Sequence, residues 1–376
     1  MGTLNSDNIN SFIQIRSLLD VEGIGIMRLL RLVSIFDSIN NLFKVDKYQL
    51  IIKGKLSSTL AFKLEAAIKN IGLYSDKLKN EILILNNLGV KVVTYWDKAY
   101  PQQLKNIYYP PLILYILGSY LPTDAQSISI VGTRKCTDYG KSITNYFSSE
   151  LSKQNITIVS GMARGIDSIA HRAAIKNGGR TIAIIGSGLD VIYPPENKGL
   201  FNDIIKNGAV ISEFPIGTKP DAQNFPKRNR IIAGLSLGTL VVETKENGGA
   251  LQTAQFALDQ NKEVFAVPGN LTSEQSKGTN NLIQRNGAKL VKEPEDILIE
   301  LELKLKPTIG KNIPKLKLDL SLFEEKIYVT LDTSPMQIDK ISAESNLSIS
   351  ETLVNLLSLE FKGIVQQLPG KLFKKI

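Results

Sequence analysis

The sequence predicts an α/β fold built on a doubly wound parallel sheet, and three observations support this. Six short apolar runs, rich in β-branched residues, recur between residues 127 and 267. Each run ends in a turn that carries glycine, proline or a charged residue, and amphipathic segments separate the runs. Such runs are typical of buried parallel strands joined by crossover helices. They cover residues 127–132, 156–160, 181–186, 208–212, 239–242 and 263–267.

The carboxyl ends of parallel strands meet at one edge of an open sheet, so the loops after these runs are expected to line one crevice. Several of these loops also open a helix, and the amino terminus of a helix offers unpaired N–H groups and a partial positive charge to anions. The sequence therefore predicts a phosphate-binding crevice at this edge.

Two helical apolar patterns occupy residues 12–36, separated by the turn Glu22-Gly23-Ile24-Gly25. This arrangement is similar to a helix-hairpin-helix unit, in which the glycine turn contacts a DNA phosphate and Arg28 and Arg31 could add charge. A small helical packing module explains the pattern equally, because the next predicted helix, residues 57–70, has no matching glycine turn. Both interpretations stay open at this level.

A further helix is predicted over residues 74–87, before the main sheet begins. Residues 91–95 and 112–118 are apolar and have prolines at their borders, which predicts one or two edge strands that extend the main sheet. Trp96 and Tyr100, which lie between them, are assigned to packing.

Arg134 follows Gly132 and Thr133 at the end of the first run, just before a helix predicted to begin near Asp138 or Tyr139. An arginine at the carboxyl end of a strand, beside the amino terminus of a helix, is well placed to bind phosphate. We therefore expect Arg134 to be a ligand of the crevice.

The second glycine turn runs from Ser160 to Asp167, and Asp167 or Ser168 is predicted to cap the helix that follows. His171, the single histidine, lies four residues after Asp167 and so on the same helical face. The pair suggests either acid–base chemistry or a hydrogen bond that holds the loop. One histidine and one cysteine cannot supply a two-histidine or cysteine-based metal site, so no metal is expected.

The third glycine turn, Gly186-Ser187-Gly188-Leu189-Asp190-Val191, matches only the first half of a dinucleotide-binding fingerprint, because Val191 replaces the third glycine. The chain also has no GxxxxGK[ST] motif for a triphosphate. No nucleotide cofactor is therefore expected.

The densest group of cations in the sheet region is Lys227, Arg228 and Arg230, within the sequence FPKRNR. It precedes an apolar helix predicted at residues 231–235, so the cations would lie at an amino terminus, where the helix dipole favours anions. Such a breach of the usual charge preference often marks a site, here one for a polyanion. Two roles fit Phe225: it is either a stacking surface for an unpaired base or a residue of the core.

The carboxy-terminal part begins with a lysine-rich linker containing Pro307 and Pro314. Three predicted helices and a hairpin follow, in the order typical of a winged helix, with a capping box between Ser348 and Glu351. The third helix, residues 350–361, carries no lysine or arginine. We therefore expect it to contact protein, or phosphates weakly, rather than to read a major groove.

Length, charge and hydropathy limit the classes of protein to which the chain can belong. The chain has 376 residues, more than one core usually spans, and a formal charge of +9. Basic and acidic residues number 14 and 9 in residues 1–119, 20 and 18 in residues 120–300, and 11 and 9 after residue 300. The excess is spread thinly, so local clusters must carry any polyanion site. Without an apolar stretch of membrane-spanning length, we expect a cytoplasmic protein and no membrane partner.

Several motifs together resemble the DNA processing protein A family, DprA or Smf. They are IVGTRKCTDYG, VSGMARGIDSIAH, IIGSGLDVIYPPEN, ISEFP, FPKRNRIIAGLS, VVETKENGGALQTA, VPGN and GTNNLIQRNGA. The resemblance implies an extended Rossmann-like core that binds single-stranded DNA, forms homodimers and loads the RecA recombinase during natural transformation and recombination, without catalysis.

The resemblance also implies a domain division and a set of DNA-binding residues. The expected domains are a helical module at residues 1–72, the Rossmann-like core at 73–300, the linker at 301–317 and the winged helix at 318–376. With Phe225 as a stacking residue, the expected DNA-binding residues are Gly132, Thr133, Arg134, Ser160, Gly161, Arg164, Gly165, Gly186, Ser187, Gly188, Asp190, Lys227, Arg228 and Arg230.

Two other functions remain open from the sequence. The segment from Gly238-Thr239 to Glu243 is similar to part of the motif of nucleoside-monophosphate phosphoribohydrolases of the lysine-decarboxylase-like family, although Leu235-Ser236-Leu237 replaces the PGG of that family. The winged helix would alternatively suit a regulator that reads duplex DNA. Release of free base from AMP-type nucleotides would identify the enzyme, and preference for duplex over unpaired DNA would identify the regulator.

Overall fold

All six apolar runs form strands, and these strands belong to a nine-stranded sheet within residues 6–301. The computed structural model describes residues 6–301, 320–332, 334–362, 364–368 and 372–375. The chain divides into the units Met1–Lys306 and Pro307–Ile376, and each is described by itself. The strands of the first unit are β1 Lys91–Thr94, β2 Ile113–Gly118, β3 Ser127–Val131, β4 Thr157–Ser160, β5 Thr181–Ile184, β6 Gly208–Ser212, β7 Gly238–Val241, β8 Glu263–Ala266 and β9 Lys289–Leu290.

The strand order is β1-β2-β6-β5-β4-β3-β7-β8-β9. Strands β3 to β9 pair in parallel, whereas β2 is antiparallel to β6 and β1 is antiparallel to β2. The chain winds from β3 toward β6 on one side and from β7 toward β9 on the other, so the order reverses between β3 and β7. This confirms the predicted doubly wound α/β fold and the predicted edge strands.

Helices surround this sheet, and the first six precede it in the chain. None of the helices in the described ranges is long and apolar enough to cross a membrane. The helices of the first unit are α1 Ser6–Leu19, α2 Ile26–Ile35, α3 Ile39–Leu42, α4 Lys47–Ile52, α5 Ser58–Lys69, α6 Ile71–Asn87, α7 Gln102–Lys105, α8 Asp138–Lys153, α9 Ile166–Lys176, α10 Lys198–Asn207, α11 Asn224–Leu235, α12 Ala250–Asp259, α13 Lys277–Gln284 and α14 Pro294–Glu300.

Helices cover both faces of the sheet, so the strands at its centre are buried at every position instead of alternating between buried and exposed residues. On one face, Phe147 of α8 shares a fully buried cluster with Ile128 of β3. On the other, Ile232 of α11 packs in a cluster with Val131 of β3. The loops at the carboxyl edge are thereby held on a rigid core.

The amino-terminal helices share a core with the antiparallel edge of the sheet. Phe12 of α1 meets Tyr115 of β2 edge to face, with ring centroids 6.1 Å apart. The turn between α4 and α5 holds one glycine, Gly54, whereas the turn between α1 and α2 holds Gly23 and Gly25, so the second turn does not match the first.

The second unit has the winged-helix order that was predicted, with a short additional strand. Its strands pair in the order β10-β12-β11. The capping box of Ser348 and Glu351 is present at the start of the third helix, whereas residues 369–371 of the hairpin turn lie outside the described residues. The elements are α15 Leu322–Thr330, β10 Met336–Gln337, α16 Ile338–Ser345, α17 Ile349–Phe361, β11 Val365–Leu368 and β12 Leu372–Lys375.

Lys262 stabilises the carboxyl end of α11. Its Nζ donates to the backbone oxygens of Ala233, Gly234 and Ser236 at 3.0, 2.5 and 2.7 Å, and burial lowers its pKa to about 8. Replacement by methionine leaves these terminal carbonyls without their donor, and we expect the free energy of unfolding to fall by about 1.5 kcal/mol. Urea denaturation measures this, and stability equal to that of the parent would contradict the capping role.

Candidate nucleic-acid interface

A cleft of about 940 Å³ opens at the carboxyl edge of the sheet, where the strand order reverses between β3 and β7. The loop after β3 forms one wall and residues 244–249, after β7, form another. The first turns of α11 complete the cleft. Of the sequence-predicted site residues, the cleft brings together Gly132, Thr133, Arg134, Phe225 and Arg228.

Arg134 is exposed on a loop that Glu243 holds in place through hydrogen bonds. Thr137, at the N-cap of α8, donates its backbone N–H and its hydroxyl to the two carboxylate oxygens of buried Glu243, at 3.0 and 2.5 Å. The Thr133 N–H also donates to the Glu243 carbonyl at 2.7 Å. The Arg134 guanidinium lies 5.4 Å from the centre of the Phe225 ring. The loop thus presents a cation and an aromatic ring side by side.

The glycine turn after β4 packs tightly against the Arg134 loop. Gly165 has φ +74°, and a Cβ at this position would collide with the carbonyl oxygen of Thr133. The hydroxyl of buried Ser160 donates to the Ile130 carbonyl at 2.6 Å, so the role of Ser160 is to hold the turn against β3. Exposed Arg164 forms an ion pair with Glu196. Together with Gly161, Arg164 lines a small recess that also touches Arg134, Phe225 and Arg228.

Arg228 is buried and joins the ends of two strands. Its Nη1 donates to the carbonyls of Gly161 and Ile184, at 2.6 and 2.5 Å, and burial lowers its pKa to about 10. Burial also raises the pKa of nearby Asp167, an effect that the Arg228 charge opposes. Arg228 therefore supports the floor of the cleft with most of its side chain covered.

Asp167 and His171 depart from their predicted arrangement. Helix α9 begins at Ile166, so Asp167 lies within the first turn instead of capping it, and its carboxylate accepts from the Ala163 N–H at 3.3 Å. His171 is fully buried, and its Nδ1 lies 2.6 Å from the hydroxyl of Thr181, not beside Asp167. The Thr181 hydroxyl donates to the Ile158 carbonyl, so the imidazole donates to Thr181. Burial lowers the pKa of His171 to about 3, which keeps it neutral.

The three cations of FPKRNR do not point the same way. Helix α11 begins at Asn224, seven residues before the predicted start, so the cations lie inside its first two turns. The helix is buried from Arg228 onward, so Lys227 is exposed whereas Arg228 and Arg230 are covered. Arg230 forms an ion pair with Glu213, whose pKa burial raises. Of the three, only Lys227 presents an exposed charge at this helix terminus.

The glycine turn after β5 contacts a neighbouring loop and does not line the cleft. The Ser187 hydroxyl donates to the Val191 carbonyl at 2.7 Å, and both Asp190 carboxylate oxygens accept from the Gly217 N–H at 2.9 and 3.0 Å. A Cβ at Gly188 would lie 2.6 Å from the Pro215 carbonyl, and one at Gly186 would touch the Phe225 ring. These residues position Phe225 and the loop at residues 215–217.

The loop after β7 lines the cleft, as expected of the loops that follow the parallel strands, through Lys245, Asn247, Gly248 and Gly249. These four residues were not among the expected DNA-binding residues, although the glycine pair follows a strand of the parallel sheet as the other glycine turns do. Tyr193, which the sequence offers with Phe225 and Phe214 as a possible stacking surface, also lines the cleft, and its ring centroid lies 5.8 Å from that of Phe225. Within the residues that the structure describes, no group of His, Cys, Asp and Glu side chains could hold a metal ion.

Comparisons with known proteins agree with this architecture. The family model for DNA recombination-mediator protein A matches residues 91–302, and the DprA winged helix domain matches residues 315–371. Protein Smf of Synechocystis sp. is 34% identical over 94% of this chain and 96% of its own length. DNA processing protein DprA of Bacillus subtilis is 44% identical over 63% of this chain and 80% of its own.

Two solved structures are also similar. DNA processing protein A of Streptococcus pneumoniae has a TM-score of 0.65 and 31% identity, covering 78% of this chain and 97% of its own. The Helicobacter pylori protein, whose single-stranded DNA binding mode has been described, has a TM-score of 0.51 and 30% identity, covering 56% of this chain and 95% of its own. The chain therefore belongs to the DNA recombination-mediator protein A family, the DprA/Smf family that its motifs resemble.

Proposed function

We propose that this protein binds single-stranded DNA in the cleft between the ends of β3 and β7 and holds it without altering it chemically. The observation that carries the proposal is the exposed Arg134 guanidinium beside the Phe225 and Tyr193 rings. Cations track a phosphate backbone and aromatic faces stack on unpaired bases whatever their sequence. The described binding mode of the Helicobacter pylori relative supports this assignment.

Within this proposal, some of the expected residues contact DNA directly and others hold the loops in place. Arg134, Phe225 and Lys227, with Lys245 and Tyr193, form the contact surface, since they line the cleft or stand exposed beside it. Arg228, Ser160 and Asp190 act through the loops that they hold, because backbone groups bond to Arg228 Nη1, the Ser160 hydroxyl and the Asp190 carboxylate. Phosphate contacts position a strand without selecting its sequence, so binding should tolerate any base composition.

The enzymatic alternative is not favoured. Glu243, the acidic residue of the segment that resembles a phosphoribohydrolase, is buried and has both carboxylate oxygens bonded to Thr137. His171 is equally enclosed and bonded to Thr181. We therefore propose a binding protein without catalysis, in line with the family to which the chain belongs. Detection of free base after incubation with AMP-type nucleotides would count against this proposal.

The family relationship suggests the wider role. We propose that the protein acts in the cytoplasm as a homodimer that protects exposed or incoming single strands and loads the RecA recombinase on them, in recombination and transformation. Supporting this role, two relatives carry the name DNA processing protein DprA. Rates of recombinase filament formation on a single strand, with and without this protein, test the loading step, and equal rates would contradict it.

The winged helix favours a protein partner within the same proposal. The exposed face of α17 carries Ile349, Leu353, Val354 and Leu357, which are 40 to 67% exposed, and the helix has no lysine or arginine. An apolar helix surface suits protein contact better than contact with a phosphate backbone.

Competition between unpaired and duplex DNA of equal length tests the alternative of a regulator that reads duplex DNA. We expect this protein to prefer the unpaired strand, and a preference for the duplex would favour the regulator.

The cleft is tested by replacing Arg134 with alanine. Without the exposed guanidinium, affinity for a poly-dT oligonucleotide should fall about tenfold, because one charged contact to phosphate is lost. Fluorescence anisotropy measures this, with Lys141→Ala as control, since Lys141 is exposed on α8 and already paired with Asp138. On a short strand that the cleft alone can hold, the parent should show a log–log salt slope of about −3 if about four phosphates are neutralised. A slope near zero would exclude the cleft model.

A further inference from the structure

We propose that the amino-terminal helices carry a second DNA-binding surface, which contacts the sugar–phosphate backbone through five cations. We call it the two-turn surface. It goes beyond the cleft but rests on the proposed function, since both would contact the same nucleic acid. Its residues are Arg28, Arg31, Lys53, Lys55 and Lys63.

Two helical hairpins bring these residues together. Helices α1 and α2 enclose the turn that contains Gly23, and α4 and α5 enclose the turn that contains Gly54. The Arg31 guanidinium donates to the Gly54 carbonyl at 2.7 Å, and a Cβ at Gly23 would lie 3.3 Å from Leu60 of α5. The two turns therefore lie side by side, although about thirty residues separate them in the chain.

Contacts between the turns gather the charge on one surface. Arg28 donates to the Gly23 carbonyl in the first turn, while Lys53 and Lys55 flank Gly54 in the second. Lys63 pairs with Glu22 at 2.7 Å, which links α5 to the first turn. All five cations are exposed, and Lys63 forms its ion pair with Glu22.

Exposed like charges on one surface repel one another, and a bound polyanion relieves that repulsion. The excess of basic over acidic residues is also greatest in residues 1–119, as the counts above show. A nucleic acid backbone supplies the matching row of phosphates.

Lys55 adds a conformational argument. Its φ is +50°, in the left-handed region, which costs a residue other than glycine about 1 kcal/mol. The surrounding turn holds this backbone, which places an exposed cation beside Gly54. Because glycine adopts this backbone without strain, Lys55→Gly removes the charge while it relaxes the turn. Loss of this charge therefore does not add backbone strain at the turn.

The experiment uses the full chain with Arg28→Gln, Lys53→Gln and Lys55→Gly combined. The matched control is Lys153→Gln, Lys176→Gln and Lys206→Gln, three exposed or partly exposed cations near the carboxyl ends of α8, α9 and α10. These helix ends lie at the opposite edge of the sheet from the cleft. Both variants lose three charges, so a general field effect is common to them.

Binding is measured with a poly-dT strand of about 40 nucleotides and one of about 10, at several salt concentrations. For the long strand, the two-turn variant should lose about two units of log–log salt slope and bind about ten- to a hundredfold more weakly at ~0.1 M salt. The short strand, which the cleft alone can hold, should bind as it does to the parent. Thermal unfolding should be unchanged or slightly improved.

The outcomes separate the two proposals. Equal slopes for the two-turn variant and the control would overturn the second surface, as would equal losses on both strands. Equal binding of the parent and this variant to the long strand, with loss of binding to anionic vesicles in the variant, would assign the cations to a membrane and also overturn it. Failure of the parent to bind the short strand would contradict the cleft, whereas the long-strand comparison would still decide the two-turn surface.

Discussion

Replacement of Arg228 by methionine is expected to lower the free energy of unfolding by about 3 to 5 kcal/mol. The guanidinium is buried, and its loss leaves the Gly161 and Ile184 carbonyls without their donor. It also removes the positive charge that offsets buried Asp167, whose carboxylate then keeps only its hydrogen bonds. Removing one partner from such a buried group is far more destabilising than removing a surface cation.

Chemical denaturation of the Arg228→Met variant measures this loss, with Lys227→Met as the matched control. Lys227 is the preceding residue of α11 and is exposed, so its loss should change stability by less than about 0.5 kcal/mol. Arg134→Ala should be equally mild in stability while it weakens DNA binding. If Arg228→Met kept parental stability and lost only affinity, Arg228 would be a direct ligand and its structural assignment would be wrong.

His171 should make stability strongly dependent on pH below neutrality. Its pKa is about 3 in the folded protein against an ordinary 6.5, because burial disfavours the imidazolium. The unfolded chain therefore binds more protons between these values, so stability is complete above about pH 6.5 and is lost as the pH falls toward 3. At 1.36 kcal/mol per unit, the contribution lost between about pH 7 and pH 4.5 is about 3 kcal/mol.

Comparison with His171→Phe isolates this contribution, because the other titrating groups are common to both proteins. The parent should lose about 3 kcal/mol more than the variant between about pH 7 and pH 4.5, whatever the absolute stability of each. Urea midpoints across that range provide the measurement. Parallel curves for the two proteins would mean that His171 titrates normally, and hence that the imidazole is accessible to water.

The strands were predictable because their signal is local. Buried parallel strands are mostly apolar, so runs such as residues 127–132 and 208–212 stand out, and the strands begin within about two residues of the predicted starts. Because the strands are parallel, the loops that follow them all lie at the carboxyl edge of the sheet. Nothing beyond neighbouring residues is needed for this step.

The direction of the side chains was not predictable, because it depends on distant partners. FPKRNR shows three cations in a row, but Glu213 and the Ile184 carbonyl decide that Arg230 and Arg228 turn inward. His171 likewise pairs with Thr181, ten residues away on the next strand, instead of with its helical neighbour. Composition and spacing report which charges exist, whereas tertiary packing decides which of them meet solvent.

The amino-terminal helices and the edge of the sheet share a core, and this core fixes the distance between the two-turn surface and the cleft. Phe12 and Tyr115 pack together, and Arg16 of α1 also donates to the Tyr115 hydroxyl at 3.0 Å. The helices that bear the two turns therefore cannot swing independently of the strands that bear the cleft. A nucleic acid touching both would have to bridge a constant gap, so affinity should rise in a single step once the strand reaches that length.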